Sequence, residues 1–154
     1  MKHWLLKSEP SVFGLEQLRA APKKTTHWDG VRNYQARNLL RDEIQVGDEA
    51  FLYHSNCDAP GIVGILRVVR SGYPDHTAFE PGHDHHDPGS TPENPRWYMI
   101  DVQLVRALKR VITLEELRAH QEQKLRDFQL LRRGNRLSVM PISDAHWRFI
   151  LTRE

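Results

Sequence analysis

Pro60-Gly61-Ile62-Val63-Gly64-Ile65-Leu66-Arg67-Val68-Val69 decides the fold. Proline and glycine open it, and from Ile62 to Val69 it is almost continuously apolar, which predicts a strand buried on both faces. Upstream, Gly47-Asp48 makes a turn into a second strand, Ala50 to His54. Downstream, Ser71 to Pro95 is punctuated by Pro74, Pro81, Gly82, Pro88, Gly89 and Pro92 and predicts a long irregular connection. From Trp97 to Arg106 apolar and polar residues alternate. Tyr98, Ile100, Val102 and Leu104 face one way, and Asp101 and Gln103 the other, as in a half-exposed strand.

Further out, His3 to Lys7 reads as a strand ended by Ser8-Glu9-Pro10. Ser11 is placed to cap a short helix carrying Val12, Leu15 and Leu18, and Ala20 to Thr26 reads as loop. Asn33 suits the N-cap of a helix from Tyr34 to Arg41. Thr113-Leu114-Glu115-Glu116 is a capping box that opens a helix through His120, and a second helix is expected from Lys124 to Leu131, ending near Gly134. Leu137 to Val139 reads as a short strand, and Ser143 caps a last helix presenting Trp147 and Ile150 to the core. Strands interleaved with short helices, without regular βαβ spacing, argue against a doubly wound sheet. The pattern predicts an α/β (α+β) chain, a small and partly closed mixed β-barrel with peripheral short helices.

At 154 residues the length fits one domain spanning 1–154. With 39% hydrophobic residues, 27% charged residues and a net charge of +2, the chain can bury a core and lacks the composition of a disordered segment. The lone Cys57 excludes an intramolecular disulfide and a cysteine zinc cage within one chain. The N-terminal stretch reaches Lys7 too soon for a signal-peptide core, and no apolar run is long enough to span a bilayer. The expectation is a cytoplasmic protein, nuclear if eukaryotic, with no membrane partner and a monomeric state. The small net charge permits nucleic acid as a partner without demanding it. Basic residues cluster late in the chain, among them Arg132, Arg133 and Arg136.

Four groups of residues could carry chemistry. Trp28-Asp29-Gly30-Val31-Arg32-Asn33 sets an indole, a carboxylate, a glycine and an amide together ahead of a helix. That is the minimum set for holding a flat base by stacking while polar groups read its edge. The same residues also suit a core tryptophan, a turn and a cap. Tyr53-His54-Ser55-Asn56-Cys57 closes a strand, where side chains reach a pocket mouth. A hydrolase triad there fails, because neighbouring residues cannot adopt the base–nucleophile geometry and no Gly-x-Ser-x-Gly elbow is present. Lys7-Ser8-Glu9 offers a cation, a hydroxyl and a carboxylate at the end of the first strand. His83-Asp84-His85-His86-Asp87 invites a metal reading, but adjacent residues in extended chain point apart, so neither a functional metal nor any other cofactor is expected.

Taken in order, these segments resemble the EVE domain of the PUA-like superfamily. The resemblance runs through Trp4 to Pro10, Trp28 to Asn38, Tyr53 to Cys57, Pro60 to Gly64, Asn94 to Trp97 and Arg136 to Val139. It implies a PUA-like mixed barrel, related in fold to the YTH readers of methylated adenine, and a pocket for a modified, flipped-out base. The pocket roles it implies fall to Lys7, Ser8 and Glu9, to Trp28, Asp29, Gly30, Val31 and Asn33, and to Tyr53, His54 and Ser55. Arg32, Arg132, Arg133 and Arg136 are the expected phosphate contacts. One departure stands out: the family tends to carry paired tyrosines before Asp-Pro in the long loop, and this chain has His85-His86-Asp87-Pro88. The implied function is a binding module for nucleic acid, DNA or RNA, carrying a modified base. The alternatives are a small hydrolase of a modified nucleoside, using Lys7, Glu9, Asp29 or His54 as acid or base, and a protein-interaction adaptor.

Overall fold

The computed structural model describes residues 1–154. Six strands form one mixed sheet: β1 (His3–Ser8), β2 (Thr25–Trp28), β3 (Glu49–His54), β4 (Gly61–Pro74), β5 (Tyr98–Thr113) and β6 (Val139–Ile142). Their order is β2-β5-β4-β3-β1-β6. The PUA-like α+β class stands, but the sheet is not closed into a barrel, and β2 and β6 lie at its edges. Both long strands slip register repeatedly where they pair, for example between Val68 and Arg70, and such bulges twist and bend a sheet.

The apolar run from Gly61 to Leu66 is buried residue by residue, as a central strand requires. Beyond Leu66 only Val68 is buried, and the strand continues, exposed or half-buried, to Pro74, into the stretch expected to be loop. β5 behaves as its alternation predicts, with Ile100, Val102 and Leu104 buried and Asp101 and Gln103 half-buried. β2 begins inside the expected loop Ala20 to Thr26 and runs on to Trp28. It pairs antiparallel with β5, Trp28 opposite Ile100.

The helices are short: α1 (Leu15–Ala20), α2 (Tyr34–Asn38), α3 (Leu114–Ala119) and α4 (Asp144–Leu151). Asn33, Thr113 and Ser143 cap α2, α3 and α4 through side-chain oxygens that accept from the amides of Ala36, Glu116 and His146. The expected cap of α1 was Ser11, but the helix starts later, at Gly14, with Gln17 reaching back to the Gly14 amide. The helix expected over Lys124 to Leu131 is a series of turns with a 3₁₀ turn at Gln129–Leu131. Leu125, Phe128 and Leu131 are still buried, because a spacing of three serves successive turns as well as a helix. One core cluster of 34 buried residues gathers side chains from all six strands and all four helices. No helix is long and apolar enough to cross a membrane.

Candidate functional site

β1 and β3 pair in parallel, Ser8 opposite His54, so their C-terminal ends arrive side by side. The Ser55 amide donates to the Ser8 carbonyl at 2.9 Å, and the Lys7 amide donates to the Ser138 carbonyl at 2.9 Å on the other flank. This junction is one wall of a cavity of about 870 Å³. Lys7, Ser8, Glu9 and Ser55 line it, with Val12 and Phe13 from the turn after β1 and Arg136 and Ser138 ahead of β6. The opposite wall is Thr26 to Arg32, from β2 into the link before α2, closed by His85 of the long loop. The Ser8 hydroxyl is buried with no hydrogen-bond partner. Such a group costs about 1–3 kcal/mol until a partner reaches it.

Trp28 serves both readings of its segment. It is 7% exposed and belongs to the core cluster, yet it also lines the cavity. Gly30 has φ of +79°, and a Cβ there would stand 2.5 Å from the His85 imidazole. The ring of His85 fills the space over this glycine. Asp29 faces the same ring, its Oδ2 3.2 Å from His85 Nδ1.

Arg32 lines the cavity, but four of its five N–H donors are already engaged. Nε and Nη2 donate to the His85 carbonyl at 3.2 and 2.6 Å, and Nη1 donates to Asp75 Oδ2 and to the Val31 carbonyl, each at 3.0 Å. It is a strut between the link and the long loop rather than the phosphate contact the sequence suggested. Asp75, fully buried, also accepts from the Gly30 amide and from Thr77. Burial alone would push its carboxyl up, but the bonds from Thr77, Gly30 and Arg32 outweigh that and hold it below the usual carboxylate range.

Three expected pocket residues do not line this cavity. Asn33 is spent as the cap of α2. His54 turns toward α1, where its Nε2 accepts from the Leu15 amide at 3.2 Å, and burial lowers its pKa. Tyr53 is buried and lines a second cavity of about 400 Å³, whose other walls include Lys7, Arg118, Arg132, Arg133 and Asn135. Burial pushes its phenol up to about 12. Arg132 and Arg133 therefore stand at this second cavity, and Arg136 at the first. Lys7 belongs to both, and burial lowers its pKa.

Sequence reasoning missed Val12, Phe13, Thr26, His27, His85 and Ser138. For His85 the signal was the departure from the family pattern, which lies in the cavity wall; its neighbour His86 is exposed. The His83 to Asp87 run does not point its side chains uniformly apart, as an extended chain would. Turns in the long loop leave Asp84 and His86 exposed while His83 and His85 fold inward, and a ligand atom of each lies within 4.8 Å of the other and of Asp29.

A family model described as the EVE domain matches residues 2–153. Thymocyte nuclear protein 1 of Homo sapiens is 48% identical over 99% of this chain and 73% of its own length. Among solved structures, the human THYN1 protein in complex with 5-methylcytosine containing DNA superposes with a TM-score of 0.94 at 46% identity, over 99% of this chain and 97% of that one. A protein from Pseudomonas putida superposes with a TM-score of 0.90 at 44% identity, over 97% of each chain.

Proposed function

The chain belongs to the EVE domain family, and from that premise we propose that it is a single-domain, monomeric binding module for nucleic acid carrying a modified base, with 5-methylcytosine in DNA as the leading ligand. The observation that carries the reading is the cavity of about 870 Å³ between Ser8, Ser55 and Trp28, large enough for a base and walled by an indole on one side and polar strand ends on the other. A base swung out of its strand stacks along the Trp28 wall, and its edge meets Ser8, Ser55 and Asp29. A methyl group on its rim finds apolar cover in Phe13 and Val31, which line the same space.

Stacking of one base contributes about 1–3 kcal/mol, too little for a stable complex. The remainder comes from phosphate contacts. Arg136 lines the base cavity, and Lys7, Arg118, Arg132 and Arg133 line the second one, where no carboxylate is among the lining residues. These cations hold the strand on either side of the extruded base without reading its sequence. Lys7 sits at the junction of the two cavities, where it serves the phosphate adjoining the bound base.

The test is a fluorescence-anisotropy titration with two DNA duplexes of identical sequence, one carrying 5-methylcytosine and one unmodified, at a fixed salt concentration. The reading expects tighter binding of the methylated duplex. Equal affinities for the two would refute it.

A further inference from the structure

Asp29 and His85, which line the base cavity, meet His83 from two separate parts of the chain. Asp29 follows β2, and the histidines sit two residues apart in the long loop. One ligand atom from each lies within 4.8 Å of the others. We propose that these three side chains bind one divalent transition-metal ion, of the zinc class, and that it pins the long loop to the link after β2.

The donor set selects the metal. Two imidazoles and one carboxylate suit zinc, nickel, cobalt or copper and discriminate against magnesium and calcium, which prefer all-oxygen shells. In a tetrahedral zinc site, metal–ligand distances near 2.0–2.1 Å place neighbouring ligand atoms about 3.4 Å apart. The His85 Nδ1–Asp29 Oδ2 separation, 3.2 Å, is already close to that value. The His83 ligand atom, within 4.8 Å of both, completes the set by side-chain rotation. Three protein ligands leave a fourth position for water or another ligand, as in open zinc sites.

The surrounding structure holds the ligands in place before a metal arrives. The His85 ring rests against Gly30, and its carbonyl is gripped by Arg32. The His85 amide donates to His83 Nδ1 at 3.0 Å, and the two rings lie 4.9 Å apart between centroids. Arg32, the nearby cation, is paired with the buried Asp75, which offsets its charge. Binding replaces the hydrogen bond between His85 and Asp29 with a bond from each to the metal ion, and the neutral imidazole then carries its proton on Nε2. The side chains of His85 and Asp29 are 35% and 25% exposed, so an ion has a path in.

The experiment is a calorimetric titration of tag-free protein with zinc chloride, together with cobalt(II) chloride followed by visible absorption. The expected result is one saturable equivalent of zinc and a ligand-field band on cobalt binding. His83→Ala and Asp29→Asn should each weaken zinc binding by at least about tenfold, the lower end of what even outer-sphere partners contribute. His86→Ala, which removes an exposed neighbour, should leave it unchanged. Wild-type protein with no saturable zinc and no cobalt band overturns the proposal, whatever the variants do. So does zinc affinity that survives His83→Ala, or that falls equally with His86→Ala, either of which marks scattered surface binding only.

Discussion

The imidazole of His85 lies against Gly30 so closely that a Cβ on residue 30 would stand 2.5 Å from it. This single approach joins the long loop to the segment carrying Trp28 and Asp29, and it sets the width of the cavity on that side. Gly30→Ala therefore meets two obstacles, a positive φ of +79° and the ring itself. The backbone alone costs about 1–2 kcal/mol, and His85 must then move as well. A lowered melting temperature and weakened binding of methylated DNA are expected together. Wild-type values for both would mean that His85 does not rest on Gly30.

Trp28 is both core and cavity wall, so Trp28→Ala is expected to cost about 3–5 kcal/mol and to confound stability with binding. Trp28→Phe is the informative change, since it keeps an aromatic ring in the core and shortens the stacking surface. It should lower affinity for a methylated duplex by roughly 1 kcal/mol, several-fold, while the protein stays folded. Unchanged affinity in a folded Trp28→Phe would remove the indole from the site.

Burial lowers the pKa of His54, whose neutral ring caps α1 at the Leu15 amide. Above the unfolded value of about 6.5 both states are neutral and the group has no effect on the pH profile. As the pH falls through that value, the unfolded chain takes up a proton that folded His54 resists, and stability is lost until the lower folded pKa is passed. Denaturant melts between about pH 7.5 and 5 should therefore show a shallower acid loss in His54→Gln than in the wild type. Parallel curves would count against the buried neutral cap.

Arg132 and Arg133 line the second cavity, apart from the base. Replacing either with alanine should weaken methylated and unmodified DNA alike. Each lost phosphate contact should reduce the slope of log affinity against log salt by about 0.9. A selective loss for the methylated duplex would place these residues in base recognition instead.

Much of the fold was legible because burial leaves a period in the sequence. The continuous apolar run of β4 and the alternation of Ile100, Val102 and Leu104 in β5 fixed the centre of the sheet, and Asn33, Thr113 and Ser143 marked three helix starts. What stayed hidden has a physical reason in each case. β2 is an edge strand of four residues, too short to show a period. Ser71 to Pro74 extend β4 despite a glycine and a proline, because register slips there absorb them. At the site, Lys7, Ser8, Trp28 and Ser55 converge as their segments suggested. Phe13 left no signal, since it reaches the cavity through a turn, and His85 showed only as a departure from the family pattern. Asn33, His54 and Arg32 carried the right chemistry for a ligand, but the fold uses them as two caps and a strut.

The central claim concerns where the modified base goes, and amide chemical shifts answer it directly. In ¹⁵N-labelled protein titrated with a duplex carrying 5-methylcytosine, the amides of Ser8, Gly30 and Ser55 and the indole N–H of Trp28 should move. With the unmodified duplex the response should be confined to the basic residues Arg132, Arg133 and Arg136. The same pattern of shifts from both duplexes, with the cavity residues unmoved, would contradict the account.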